Sequence, residues 1–181
     1  MLYVYKIVSG LSIYGPGRRT GIWFSGCSIH CKGCINPELW QRELKCAKTI
    51  EDVLNCVKDD DVTILGGEPL DQEDLELLID ALKQRKKSII LFTGYSISNY
   101  DERIKRIASK CDVVISEPFI DELKDDSLYL RGSLNQIITF NTKKYSESDF
   151  VKNNSFEINV DKSGIYSFGR NKQLVKELLE I

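Results

Sequence analysis

Short, continuous apolar runs along the chain are separated by segments whose apolar residues recur at helical spacing. The runs at residues 61–65, 88–92 and 112–116 each stop at glycine or at polar residues, as does the stretch Gly21–Phe24. Continuous apolar runs of this length are typical of strands buried on both faces. They predict a sheet that is covered by helices.

Amphipathic helices are predicted between these runs. Asp71 is the expected N-cap of the helix after the first run, and Thr49 with Asp52 has the pattern of a capping box. The alternation of strands and helices predicts an α/β protein of parallel βαβ units, curled into a partial, open βα barrel. The apolar residues that repeat on one side of the three helices are Ile50, Val53, Leu54, Val57, Leu75, Leu78, Ile79, Leu82, Ile104, Ile107 and Ala108.

The C-terminal part has a different pattern. Residues 141–155 are polar and lysine-rich, which predicts a linker or long loop. Two short apolar segments, 156–160 and 165–168, flank Asp161-Lys-Ser-Gly164 and predict a hairpin. A short helix is expected at about 172–180. We therefore expect a core of residues 1–140 and a small hairpin–helix extension of residues 156–181.

Composition narrows the class of protein. The chain has 181 residues, 42% of them hydrophobic, which suits one buried core. Its 25 basic and 27 acidic residues give no electrostatic footprint of a nucleic-acid binder. We see no secretory signal and no apolar run of about 18 residues that a membrane helix needs. The expectation is a soluble, cytoplasmic protein without nucleic-acid or membrane partners.

Three cysteines, Cys27, Cys31 and Cys34, lie in one short C-x3-C-x2-C run. They offer three thiolates to a cubane iron–sulfur cluster with four irons, so that one iron stays open to a small molecule. A structural zinc site normally has four ligands, and His30 is the available fourth. Disulfides are disfavoured because nothing points to an oxidising compartment. The run predicts a 4Fe-4S cluster, with zinc as the alternative.

Other cysteines and arginines are assigned structural roles. Cys46, Cys56 and Cys111 have no metal-binding spacing and are expected to be small buried hydrophobes. Arg18 and Arg19 follow a Gly-Pro-Gly turn and are expected to be solvated charges.

The polar loops follow the predicted strands. Gly66-Gly-Glu-Pro69, Thr93-Gly-Tyr95 and Ser116-Glu-Pro-Phe119 each come directly after a run, and the cysteine run follows Gly21–Phe24. In parallel sheets, ligands bind at the carboxyl ends of the strands. We therefore expect the cysteine loop and these loops to lie at one rim of the sheet, the edge formed by the carboxyl ends of its parallel strands.

Together, the cysteine run and Gly66-Gly-Glu-Pro69 resemble the radical S-adenosylmethionine (SAM) superfamily. Within it, the chain is similar to anaerobic ribonucleotide reductase activating enzymes over roughly residues 10 to 140. The further motifs that carry this resemblance, in family order, are Tyr14-Gly-Pro-Gly17 with Arg18, Ser25-Gly-Cys27, Cys31-Lys-Gly-Cys34, Asn36-Pro-Glu-Leu-Trp40, Gly66-Gly-Glu-Pro-Leu70, Thr93-Gly-Tyr95 and Leu130-Arg-Gly-Ser-Leu-Asn-Gln136.

The resemblance implies a mechanism. Cys27, Cys31 and Cys34 would hold three irons, and the amino and carboxylate groups of SAM would chelate the fourth. One electron from the cluster would cleave SAM and yield a 5′-deoxyadenosyl radical. That radical would take hydrogen from a glycine of the partner, the anaerobic ribonucleotide reductase. The implied electron donor is of the flavodoxin or ferredoxin type.

The resemblance also implies cofactor contacts. Gly66 and Gly67 have no Cβ, so their backbone would approach the methionine ammonium of SAM closely, and Glu68 of the same motif would belong to that site. The alternative is a tight turn between a strand and a helix. Gly33, beside Cys34, would let the loop pass near the adenine, against which Ile35 would pack.

A second polar group precedes the apolar pair at 137–138. Arg131, Ser133 and Asn135, with Gln136, would bind the SAM carboxylate, the ribose or the incoming glycine loop, or else form a structural network. Thr93 is likewise either a cofactor contact or part of an ordinary turn.

Two departures from the family keep other functions open. Ile35 stands where many relatives have an aromatic residue, and Val114–Phe119 differs from the common Val-Asp-Gly-x-Phe. The alternatives are a radical SAM enzyme that modifies another peptide or a small molecule, and a non-enzymatic iron–sulfur or zinc module.

Overall fold

One mixed sheet forms the centre of the protein. The computed structural model describes residues 1–99, 101–150, 156–161 and 164–169. Within these residues the sheet has seven strands in the order β3-β1-β2-β4-β5-β6-β7, and β8 and β9 form a separate hairpin. The strands are β1 Leu2–Leu11, β2 Arg19–Phe24, β3 Ala47–Lys48, β4 Asp61–Gly66, β5 Ile89–Phe92, β6 Val113–Ser116, β7 Ile137–Phe140, β8 Phe156–Asp161 and β9 Gly164–Gly169.

Helices connect the central strands. Within the described ranges there are three α-helices, α1 Ile50–Cys56, α2 Leu75–Gln84 and α3 Glu102–Ser109. Their apolar faces pack on one side of the sheet, in a core that includes Val53, Leu78 and Ile107. Short 3-10 turns are found at Pro37–Leu39, Leu44–Cys46, Pro69–Asp71, Ile97–Asn99, Asp121–Leu123 and Glu147–Phe150.

The predicted α/β class is confirmed, with a parallel centre in an open sheet. Strands β2, β4, β5 and β6 are parallel neighbours, so their carboxyl ends lie at one edge. The flanking strands β1, β3 and β7 are antiparallel. The pattern of apolar residues did not indicate these three strands. Two of them give a weak pattern, since β7 is half-exposed and β3 has only two residues.

One of the two predicted helix starts is confirmed, and the structure adds the cap of a further helix. Thr49 and Asp52 form the capping box of α1, and Asp101 caps α3 by accepting the backbone N–H of Ile104 at 2.9 Å. The prediction for Asp71 is wrong, since α2 begins at Leu75 after Asp74. Asp71 instead ends the 3-10 turn that starts at Pro69, and its carboxylate binds the cysteine loop.

Arg19 is not the solvated charge that we expected. Its side chain is fully buried at the amino ends of the parallel strands, the edge opposite the cysteine loop. Its guanidinium donates to Thr63 Oγ1 at 2.7 Å and to the carbonyl of Val62 at 2.6 Å. Tyr145 OH accepts a further hydrogen bond at 3.1 Å. The buried charge therefore has neutral acceptors supplied by the protein itself.

Cys46 and Cys111 are buried, as expected. Cys56 is exposed, so its prediction as a buried residue is wrong. It lies at the last position of the short helix α1.

The predicted hairpin is confirmed, and it packs against the sheet. Glu157 Oε2 accepts the backbone N–H groups of Ser12 and Ile13 at 2.9 and 3.1 Å. The Phe168 ring lies 5.5 Å from that of Trp23 on β2. In the polar segment before the hairpin, Phe150 is buried against the sheet.

Two other expectations about the C-terminal part lie partly or wholly outside the described residues. They are the helix at 172–180 and positions 151–155 of the polar segment. Among the helices that the structure describes, none has the length and apolar character needed to cross a bilayer.

Candidate functional site

The cysteine loop leaves the carboxyl end of β2, as predicted. Cys27, Cys31 and Cys34 are all half-buried free thiols. The backbone N–H groups of Ile29 and His30 favour the thiolate of Cys27, and that of Phe119, in the loop after β6, favours the thiolate of Cys31. Cys34 Sγ accepts the N–H of Asn36 at 3.4 Å. Burial raises the pKa of Cys27 and of Cys31, and these N–H donors oppose that rise. Such hydrogen bonds stabilise thiolates and tune bound clusters.

The donor set suits a 4Fe-4S cluster. Among the described residues, no three His, Cys, Asp or Glu side chains are grouped around a position for a single metal ion. Each thiolate of a cubane binds a different iron, so its ligands need not surround one atom. Cys27, Cys31 and Cys34 are three free, half-buried thiols on one loop, which is the donor set that three irons need.

Gly66 and Gly67 connect the loop after β4 to the start of the cysteine loop. Gly66 has a φ of +120°, and a Cβ there would lie 2.3 Å from the backbone nitrogen of Phe24. A Cβ on Gly67 would lie 2.2 Å from the carbonyl oxygen of Gly26. The backbone N–H of Gly67 donates to the carbonyl oxygen of Phe24, and that of Glu68 donates to the carbonyl oxygen of Gly26, both at 2.8 Å. Only glycine permits this approach of two backbones.

Glu68 links the loops that follow β4 and β5. Its carboxylate accepts the N–H of Leu70 at 2.9 Å, the hydroxyl of Thr93 at 2.8 Å and the N–H of Gly94 at 2.8 Å. Burial raises the pKa of Glu68 to about 7, against the opposing effect of these three donors. The side chain therefore fastens two rim loops together.

The hydroxyl of Thr93 is used within the protein. It donates to Glu68 and accepts the N–H of Tyr95 at 3.0 Å. Tyr95 OH in turn donates to Asp71, which also binds Ser28 of the cysteine loop. Sequence reasoning missed Asp71 and Ser28, because an aspartate after Gly-Gly-Glu-Pro-Leu resembles a helix cap.

Gly33 faces the loop after β6. Its φ is +75°, and a Cβ would lie 2.7 Å from Asp121 Oδ1. Lys32 and Glu122 form an ion pair between the same two loops at 2.9 Å. The neighbouring Ile35 is 49% exposed, so its side chain is accessible from the rim.

The polar group at 131–136, just before β7, is bound to the loop that follows β6. Ser133 Oγ accepts the N–H of Ile120 at 3.2 Å, and Arg131 donates to the carbonyl of Gln136 at 3.2 Å. Asn135 donates its amide to the carbonyl of Pro118 at 2.8 Å. Within the described part of the chain, Asn135 Oδ1 is buried and accepts no hydrogen bond. A buried acceptor without a donor fits a ligand that supplies one.

The geometry defines a class of protein: an open α/β sheet that carries a three-thiol loop at the carboxyl edge of its parallel strands. Residues 13–139 match the family described as a 4Fe-4S single cluster domain. The 4Fe-4S cluster expected from the cysteine run is thereby supported at the level of the family.

Proteins of similar sequence narrow this class of iron–sulfur protein further. An anaerobic ribonucleoside-triphosphate reductase-activating protein from Haemophilus influenzae is 34% identical over 141 residues, covering 70% of this chain and 90% of the relative. The protein of that name from Escherichia coli K12 is 27% identical over 139 residues, with the same coverage of both chains. A pyruvate formate-lyase-activating enzyme from Clostridium pasteurianum is 35% identical over 115 residues, covering 56% of this chain and 48% of the relative.

The chain therefore belongs to the radical SAM activating enzymes, in the family of anaerobic ribonucleoside-triphosphate reductase-activating proteins.

Proposed function

We propose that this protein binds SAM at its 4Fe-4S cluster and generates a glycyl radical on an anaerobic ribonucleotide reductase. The observation that carries the proposal is the three-thiol loop held directly beside Gly66 and Gly67 at one rim. When bound at this rim, a reduced 4Fe-4S cluster and SAM would together supply the one-electron chemistry that removes a hydrogen atom from a glycine. The proposed catalytic core is residues 1–140, with residues 156–181 as an extension.

The chain's own residues would hold the cluster and the cofactor. Cys27, Cys31 and Cys34 would bind three irons through thiolates that backbone N–H groups stabilise. The N–H groups of Gly67 and Glu68 are already used within the protein. Because an ammonium group only donates, the carbonyl oxygens of this loop would receive the methionine end of SAM.

Some of the remaining residues would contact SAM directly, and others would act by holding their loops in place. Ile35, exposed beside Gly33, would pack against the adenine. Asn135 would accept a hydrogen bond from the cofactor through its buried Oδ1, and Arg131 of the same polar group would bind the cofactor's carboxylate or ribose. Thr93 and Ser133 would act through their loops, because their hydroxyl groups bind Glu68 and the backbone of Ile120.

The partner proposal rests on the relatives, two of which are named as activating proteins of the reductase. The electron would come from a flavodoxin or ferredoxin-type protein. Incubation of the reduced, SAM-loaded protein with an anaerobic ribonucleotide reductase should produce the electron paramagnetic resonance (EPR) signal of a glycyl radical. SAM cleavage without that signal would instead favour another peptide or a small molecule as the substrate.

The cluster assignment is tested by exchanging one thiol at a time. We expect Cys31→Ala, after anaerobic reconstitution and dithionite reduction, to lose the brown colour and the formation of 5′-deoxyadenosine. Cys56→Ala is the matched control, because Cys56 is a free, exposed cysteine outside the loop. It should keep both properties. Retention of SAM cleavage by Cys31→Ala would contradict the assignment.

A further inference from the structure

Ser28, the residue after Cys27, is bound by a carboxylate from another loop. Its backbone N–H donates to Asp71 Oδ2 at 2.8 Å, and its hydroxyl donates to Asp71 Oδ1 at 3.1 Å. Asp71 ends the 3-10 turn after β4, and the guanidinium of Arg42 binds its backbone carbonyl at 3.0 Å. One carboxylate thus holds the first turn of the cysteine loop from a fixed position.

Tyr95 completes the contact from the loop after β5. Its hydroxyl lies 2.5 Å from Asp71 Oδ1 and 2.8 Å from Ser28 Oγ. Burial, followed by the hydrogen bond to Asp71, raises the pKa of Tyr95 to about 12, so the phenol keeps its proton near neutral pH. Hydrogen bonds to a charged acceptor are the stronger ones in proteins.

The other end of the loop has separate supports. Lys32 pairs with Glu122 at 2.9 Å, and the backbone N–H of Phe119 favours the thiolate of Cys31. Removal of the Asp71 and Tyr95 contacts should therefore loosen the loop at Cys27 and leave Cys34 unaffected.

We propose that Asp71 and Tyr95 are positioning residues that hold Cys27 in place for cluster binding, an inference that rests on the proposed function. They act through Ser28, the neighbour of Cys27 in the chain. The prediction is local: without them, the Cys27 end of the loop opens more often, and iron leaves the cluster faster.

The first test uses the full-length, metal-free protein and compares the rate of maleimide labelling at each cysteine by mass spectrometry. In Tyr95→Phe we expect Cys27 to react about fivefold faster, the factor produced by the loss of one net hydrogen bond. Cys34 and the exposed Cys56 should keep their wild-type rates. Tyr5→Phe is the matched control, since Tyr5 is 49% exposed on β1.

Two further variants separate hydrogen bonding from charge. Asp71→Asn removes a negative charge near Cys27, whereas Ser28→Ala keeps that charge and removes only the hydroxyl. Both should accelerate labelling at Cys27. Hydrogen exchange of the Ser28 amide should also be faster in Asp71→Asn than in the wild type.

The second test uses the reconstituted protein and follows the release of iron to a chelator. We expect Tyr95→Phe to release iron about fivefold faster than the wild type and Tyr5→Phe at the wild-type rate. The proposal would be overturned if Cys27 were labelled at the wild-type rate in both Tyr95→Phe and Ser28→Ala. Equal acceleration at all cysteines would also overturn it, because it would show general destabilisation. Failure of the wild type to cleave SAM would refute the proposed function and leave the labelling result standing.

Discussion

Glu68 shows how one residue of the rim combines burial with full hydrogen bonding. Its carboxylate is fully buried, yet three donors from two loops reach it. Burial dominates and raises its pKa to about 7. The folded protein therefore holds a proton on Glu68 at pH values where the unfolded chain has already lost it. Stability from this group falls as the pH rises from about 4.5 to about 7.

Glu68→Gln tests this pH dependence in the metal-free protein. The free energy of unfolding of the wild type minus that of Glu68→Gln should decrease as the pH rises through that window, because glutamine does not titrate. Denaturant unfolding at pH 5 and pH 7.5 measures the difference. A difference that stays constant, or that increases with pH, would contradict the raised pKa.

Single residues were predictable where their chemistry is rare. The three cysteines are recognisable from spacing alone, and the structure places them together on one loop. Arg19 was not predictable, because its burial depends on the carbonyls of neighbouring strands that the chain brings together only on folding. Asp71 was misassigned for a related reason: its partner Ser28 lies 43 positions away in the sequence.

At the scale of elements, the capping box of α1 was readable because all its bonds are local. Thr49 Oγ1 accepts the N–H of Asp52 at 3.1 Å, and Asp52 accepts the N–H of Thr49 at 2.9 Å. The antiparallel strands β1 and β7 were less visible. Their pairing is set by distant strands rather than by their own pattern.

Thr49→Ala should lower the free energy of unfolding by about 1 kcal/mol, because it leaves helix N–H groups without a side-chain acceptor. Thr49→Ser retains the hydroxyl and should remain near the wild type. Urea unfolding followed by circular dichroism gives both values. A Thr49→Ser variant as unstable as Thr49→Ala would show that the methyl group, not the cap, matters.

At the scale of the whole molecule, the C-terminal hairpin covers part of the sheet face that lies away from the helices. Phe168 packs on Trp23, and the backbone N–H of Gly169 donates to Tyr14 OH at 3.1 Å. Burial raises the pKa of Tyr14 to about 12. The hairpin itself was predicted from its turn sequence. Its docking could not be predicted, since Glu157 binds backbone groups of Ser12 and Ile13 that have no sequence signature.

Phe168→Ala tests this docking in a Trp40→Phe background, where Trp23 is the remaining tryptophan. Loss of a buried ring should destabilise the packed hairpin by about 3 kcal/mol. Trp23 should then become accessible to acrylamide, and its emission should shift to the red. Ile158→Ala is the matched control on the same hairpin, because Ile158 is 41% exposed. Unchanged quenching in Phe168→Ala would contradict the packing.

The central claim is that the cluster held by Cys27, Cys31 and Cys34 keeps one iron for SAM. The most direct measurement is electron–nuclear double resonance of the dithionite-reduced protein with SAM carrying 15N in its amino group. The account predicts a hyperfine coupling between this nitrogen and the cluster, which unlabelled SAM does not reproduce. A cluster spectrum that SAM leaves unchanged, with no nitrogen coupling, would contradict it.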